Sequence, residues 1–176
     1  MTIKTIFLDR DGVINKETGY LYKIDECEFI EGIFEACRQF RTLGYQIIIV
    51  TNQSGISRNY FSEVDFQKIT DWMFYQFEKE NINILDIFHC PHLDADNCNC
   101  RKPKPGMFIT AKTKHNINMK KSWMIGDNER DIKAANKAGI NKTILIINEH
   151  KDKEANSNAM FCLGSISQVS QVLLEN

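Results

Sequence analysis

The sequence carries no surplus of basic charge: 22 Lys and Arg stand against 23 Asp and Glu, a formal net charge of −1. A general nucleic-acid binder shows a basic excess, so that class is disfavoured. No apolar run approaches membrane-spanning length. Nor does the start have signal-peptide anatomy, because Met1-Thr2-Ile3-Lys4 runs straight into a short apolar stretch ended by Asp9. The expectation is a cytoplasmic protein with reduced thiols and no membrane partner. There is no repeat, no low-complexity tract and no linker rich in Pro, Gly or Ser. The 176 residues therefore read as one domain, 1–176, large enough for a sizeable core. With 43% hydrophobic and 26% charged residues, the chain reads as globular and not as disordered.

What is present is an alternation of strand and helix patterns. Short apolar runs lie at Ile6–Leu8, Gln46–Val50, Ile84–Cys90, Ser122–Asp127 and Lys142–Ile147. They are continuous, not alternating, which suits strands buried on both faces of a parallel sheet. Ile33, Cys37, Phe40 and Leu43 share one helical face, and Gly44 is placed to end that helix. Ser62 and Asp65 form a start signal before the stripe Phe66, Ile69, Met73 and Phe77. Pro105 can open a third helix as its first residue. Ile132, Ala135 and Ala138 before Gly139 predict a fourth. Ser165 can cap a last one carrying Ile166, Val169 and Leu173. This succession predicts an α/β fold with a doubly wound parallel sheet. Ligands of such sheets lie beyond the carboxyl ends of the strands.

Polar clusters stand at those ends: Asp9-Arg10-Asp11-Gly12, Thr51-Asn52-Gln53-Ser54-Gly55 and Gly126-Asp127. Lys102 lies in a loop that can reach the same edge. A carboxylate can attack phosphorus, dividing one hard displacement into two easier ones. A second carboxylate two residues on can protonate the leaving oxygen and then activate water. Asp9 and Asp11 have that spacing. Asp9, Asp11 and Asp127 would repel one another without a cation, and hard oxygen ligands beside phosphate point to Mg²⁺. Thr51 offers a hydroxyl and Lys102 a positive charge to the phosphoryl group. The bland alternative is that these acids are only strand-end turn residues.

Cys90-Pro91-His92 and Cys98-Asn99-Cys100 form a C-x-H…C-x-C set. Three thiolates and an imidazole complete a closed tetrahedral Zn²⁺ site of the structural kind. The alternative is free thiols beside a surface histidine. The loop runs directly into Arg101 and Lys102, so a metal there would fix their position. A separate zinc-ribbon binding module is disfavoured, because the loop is too short to be a domain.

With these motifs in order, and with Asp131 after Gly126-Asp127, the chain resembles the haloacid dehalogenase superfamily. That resemblance implies Asp9 as nucleophile and Asp11 as general acid/base. It also implies Mg²⁺ held by Asp9, the Asp11 backbone carbonyl and Asp127. Only 39 residues separate Asp11 from Thr51 and 50 separate Thr51 from Lys102, leaving no room for a cap domain. Specificity must then come from rim loops around 16–29, 53–61 and 90–104. FLDRDGVIN (7–15), EFIEG (28–32), VTNQSGISR (50–58), CRKPKPGM (100–107) and MIGDNERD (124–131) are similar to the D-glycero-D-manno-heptose 1,7-bisphosphate 7-phosphatase family of bacterial heptose synthesis. By that resemblance the substrate is a sugar bisphosphate and the enzyme a monomer. Arg10, Glu17, Thr18, Gly19, Tyr20, Asn52, Gln53, Ser54, Arg101 and Asn128 would bind the substrate, with Arg101 the first choice for the second phosphate. Asn128 stands where a lysine is common, and the cysteine loop is shorter than in many members. CPHLDADNCNCRKPK also resembles histidinol-phosphate phosphatases, the runner-up; a polynucleotide 3′-phosphatase is disfavoured by the lack of basic charge.

The remaining residues read as structure. Trp72 and Trp123 should pack, His115 and His150 should be solvated, and Cys27, Cys37 and Cys162 should be buried or half-buried thiols. The Lys151–Glu154 charge run reads as a surface loop. Lys104 could meet phosphate or only solvent.

Overall fold

The computed structural model describes residues 1–147 and 157–176; His150 and the Lys151–Glu154 run lie outside them. Six parallel strands form one sheet: β1 (Thr5–Leu8), β2 (Gln46–Asn52), β3 (Asp86–Cys90), β4 (Trp123–Gly126), β5 (Lys142–Ile146) and β6 (Phe161–Leu163). Their order in the sheet is β3-β2-β1-β4-β5-β6. Five helices connect or follow them: α1 (Ile33–Thr42), α2 (Glu63–Lys79), α3 (Gly106–His115), α4 (Glu129–Lys137) and α5 (Val169–Glu175).

Strand alternation divides the core. Ile6, Leu8, Ile47, Ile49, Trp123 and Ile125 face one side, against Ile33, Ala36, Cys37 and Phe40 of α1, Met73 and Phe77 of α2, and Val169 of α5. Phe7, Ile48, Val50 and Met124 face the other side, against Phe108 and Ala111 of α3 and Ala134 and Ala135 of α4. Helices thus cover both faces, which is why the central strands read as unbroken apolar runs.

Leu8 pairs with Ile49 on one side and with Ile125 on the other. Asp9 is therefore level with Val50 and Gly126, one residue short of Thr51 and Asp127. The chain leaves β1 toward β2 and β3 on one side, and its later strands build on the other. Between β1 and β4 lies the switch point where such sheets open a crevice.

The expected elements form with shifted bounds. β2 runs on to Asn52, β3 begins at Asp86 and not at Ile84, and β4 excludes Ser122 and Asp127. Ser122 instead accepts the Thr5 N–H on its hydroxyl at 3.0 Å. Pro105 is the N-cap of α3 and not its first residue; its carbonyl takes the Ile109 N–H at 3.1 Å. Ser62 and Asp65 make a full capping box. Ser165 caps a short 3₁₀ turn, Ile166–Gln168, that runs into α5. β6 was not expected: it has three residues at the sheet edge and no buried run to announce it. Alternation within β6 turns Cys162 outward, so this thiol is exposed and not half-buried. His115 is also not simply solvated, since its Nε2 lies 2.6 Å from Asp86 Oδ2. Trp123 is fully buried, and Trp72 stacks on Phe29.

Candidate active site

Asp9 follows the last residue of β1, and its N–H donates to Ile125 O on β4 at 3.0 Å. Two glycines make room for the carboxylates beside it. Gly12 has φ +84, and a Cβ there would lie 2.1 Å from Asp127 Oδ2. A Cβ on Gly126 would lie 2.4 Å from the Asp131 Cβ. Asp9, Asp127 and Asp131 are all buried, and one oxygen of each lies within 4.8 Å of the others.

Lys102 is buried with them. Its Nζ sits 3.0 Å from Asp9 Oδ1 and 2.7 Å from Asp131 Oδ1, and it donates to Val50 O at 2.8 Å. The two carboxylates hold the ammonium in its charged form against the burial that disfavours it. Burial first, and then Asp131, push Asp9 from 3.8 up to about 7, while Lys102 pulls the other way. One lysine thus does not neutralise this set. A divalent cation among Asp9, Asp127 and Asp131 would supply the missing charge and favour ionised Asp9.

Asn52, at the end of β2, clamps the lysine's backbone. Its amide donates to Lys102 O at 3.1 Å, and its carbonyl accepts the Lys102 N–H at 3.0 Å. Asp11 is held from three sides. Arg10 Nη2 donates at 3.0 Å, Asn15 Nδ2 at 2.9 Å and Gln53 Nε2 at 3.0 Å. Gln53 also donates to the Thr51 hydroxyl at 2.8 Å.

Beside them opens a cleft of about 310 Å³. Asp9, Asp11, Thr51, Asn52, Gln53 and Ser54 line it together with Glu17, Gly19, Tyr20 and Arg101. Three expected substrate residues are placed differently. Arg10 is fully buried behind Asp11 and also donates to Leu21 O at 3.1 Å. Thr18 and Asn128 are not among the lining residues. Asn128 is the N-cap of α4: its side chain accepts the Arg130 N–H, and Asp131 accepts the Asn128 N–H, each at 3.1 Å.

Beyond β3, Cys90, His92, Cys98 and Cys100 converge. Cys90 Sγ lies 3.5 Å from His92 Nδ1, 3.6 Å from Cys98 Sγ and 3.1 Å from Cys100 Sγ. None of the three thiols is joined in a disulfide. A tetrahedral ion with bonds of roughly 2.3 Å to sulfur needs ligand atoms about 3.7 Å apart, so a modest expansion fits a metal. His89 turns away to Glu63 Oε2 at 2.9 Å, leaving four ligands. Arg101 N–H approaches Cys98 Sγ at 3.4 Å, and its guanidinium pairs with Asp94 and reaches His92 O at 3.4 Å. Lys104 is occupied by Asn97 of the same loop. Gly106 N donates to Asn99 O at 3.0 Å, tying α3 to it.

Carboxylates at the switch point and a buried lysine beside them match a known pattern. The sequence pattern of the haloacid dehalogenase-like hydrolases matches residues 3–139. The chain belongs to this family. It is 50% identical over 151 residues to the D-glycero-alpha-D-manno-heptose-1,7-bisphosphate 7-phosphatase of Campylobacter jejuni, covering 86% of each chain. It is 36% identical to the D-glycero-beta-D-manno-heptose-1,7-bisphosphate 7-phosphatase of Escherichia coli, covering 98% of this chain and 95% of that one. The crystal structure of the D,D-heptose 1,7-bisphosphate phosphatase of B. bronchiseptica, complexed with magnesium and phosphate, superposes with a TM-score of 0.87 at 30% identity. That match covers 98% of this chain and 99% of the other.

Two lining residues of this hydrolase were missed in the sequence, Arg58 and Arg130. Arg58 sits at the end of TNQSGISR and Arg130 in the first turn of α4. Only the fold brings both to the cleft that Arg101 also lines. Among the described residues, no helix is long and apolar enough to cross a membrane.

Proposed function

We propose that this chain is a Mg²⁺-dependent phosphatase releasing the 7-phosphate of D-glycero-α-D-manno-heptose 1,7-bisphosphate. The observation that carries it is the buried Asp9–Lys102–Asp131 set opening on an arginine-rimmed cleft. Relatives named for the α anomer share 44–50% identity with the chain, and those named for the β anomer 36–43%. The single domain would act as a cytoplasmic monomer, with Zn²⁺ in the cysteine loop.

Asp9 attacks phosphorus as the bond to the sugar O7 breaks, and Asp11 gives that oxygen its proton. Asp11 then takes a proton from water, whose oxygen attacks the same phosphorus and frees Asp9. Lys102 and the Thr51 hydroxyl meet the charge on the phosphoryl oxygens. Mg²⁺, held by Asp9, Asp127 and the Asp11 carbonyl, would supply further neutralising charge to this cluster.

Phosphate release from both heptose bisphosphate anomers, with histidinol phosphate beside them, tests the substrate. Preference for the α anomer is expected; preference for histidinol phosphate would overturn the sugar reading and keep the Asp9 chemistry. Asp9→Asn should abolish turnover in a protein with unchanged circular dichroism. Substantial remaining activity would rule out the aspartyl-phosphate route.

A further inference from the structure

Arg130 stands at the second position of α4, where exposed backbone N–H groups make a positive helix end. Acidic residues suit that end, and both neighbours, Glu129 and Asp131, comply. A guanidinium between them works against the helix. Its Nε is also buried without a hydrogen-bond partner among the described residues. An unpaired buried donor is costly.

The acceptors of its neighbours in the first turn are engaged elsewhere. The Asn128 side chain takes the Arg130 backbone N–H, and Asp131 pairs with Lys102. Glu129 accepts from Ser157 and Asn158. A residue that breaks two local rules is expected where function demands it.

Arg130 lines the cleft with Arg58 and Arg101. The three come from separate elements: the loop after β2, the cysteine loop and the first turn of α4. Asp94 registers their convergence, since its carboxyl is held below the usual range by Arg101 first, with Arg130 and Arg58 adding to it. In the proposed mechanism the transferred phosphoryl group is met by Lys102 and Thr51. Three guanidinium groups lining one cleft suit a second anion, because arginine matches phosphate through paired N–H donors.

We propose that Arg130 is a specificity-determining residue that binds, with Arg58 and Arg101, the phosphate that stays on the sugar. This rests on the reading of the substrate as a sugar bisphosphate.

The test uses the full chain with Mg²⁺ hydrolysing an aryl phosphate. Competitive inhibition by α-D-glucose 1,6-bisphosphate and by glucose 6-phosphate is read in wild type, R130A and R130K. Wild type should bind the bisphosphate more tightly. R130A should weaken the bisphosphate about tenfold more than the monophosphate, the scale of one charge-assisted hydrogen bond. R130K should recover part of that preference. R130A should melt no lower than wild type, because a cation leaves the helix N-terminus; a packing role would lower the melting point. Equal losses on both ligands, a preference that R130A keeps, or a wild type without preference would overturn the proposal. Failure of wild type to hydrolyse heptose bisphosphate would instead strike the proposed substrate and leave this readout intact.

Discussion

At the scale of single residues, Lys102 balances the site. Its ammonium is fully buried between Asp9 and Asp131 and also donates to Val50 O. Removing one partner of a buried ionic set leaves the others uncompensated, at a cost of about 3–5 kcal/mol. Lys102→Ala should therefore lower stability by about that amount, read by urea unfolding, and lower kcat by roughly 10²–10³-fold. Loss of activity with unchanged stability would mean that the carboxylates relax independently of the lysine. Asp9, Thr51, Lys102 and Asp127 are legible in the sequence because each sits at a strand end or in the loop that must reach one. Arg58 and Arg130 are not legible. A single arginine in a loop, or on the polar side of a helix, looks like any solvated charge until the fold shows what it faces. Arg10 misleads in the opposite sense: it lies inside the DxD stretch and yet is fully buried, gripping Asp11.

At the scale of elements, the central strands announce themselves by burial on both faces, and the edges do not. β6 is short and partly exposed, so nothing in its three residues separates it from a loop. β3 is the other edge, and it is fastened by a polar contact with no sequence signature. Asp86, its first residue, takes Lys114 Nζ at 2.7 Å and His115 Nε2 at 2.6 Å from the last turn of α3. Burial pushes the Asp86 carboxyl up, but Lys114, His115 and the Ile87 N–H outweigh it, and its pKa falls below 3.8. A lowered folded pKa contributes stability above the unfolded value and loses it as pH falls through the folded one. Asp86→Asn should cost about 1 kcal/mol at neutral pH, modest because the pair is partly exposed. The two proteins should converge in stability as pH falls through the lowered Asp86 pKa, below the ordinary carboxylate range. Melting curves across pH check this; a constant gap down to the acid limit would show that packing, not charge, holds the contact.

At the scale of the whole molecule, the cysteine loop and the catalytic edge are one mechanical unit. The loop leaves β3 at Cys90 and returns through Cys100 directly into Arg101 and Lys102. Asn52 then fixes Lys102 to the end of β2, and Asn99 fixes Gly106 at the start of α3. A metal in the loop would lie outside the cleft and yet fix where Arg101 and Lys102 stand. With four protein ligands such a site would be closed, contributing folding energy and no open position for substrate. Stripping it with a chelator of high zinc affinity, then restoring Mg²⁺, should lower the melting temperature and leave kcat depressed. Added Zn²⁺, and not further Mg²⁺, should restore both. Cys98→Ser should reproduce the stripped state in a form that zinc rescues poorly. Arg101 follows from the same geometry: the stripped enzyme should lose discrimination between bisphosphate and monophosphate along with turnover. Full activity and discrimination in a protein shown to hold no zinc would mean that the Asn52 clamp alone positions Lys102, and that the metal serves only the stability of its own loop.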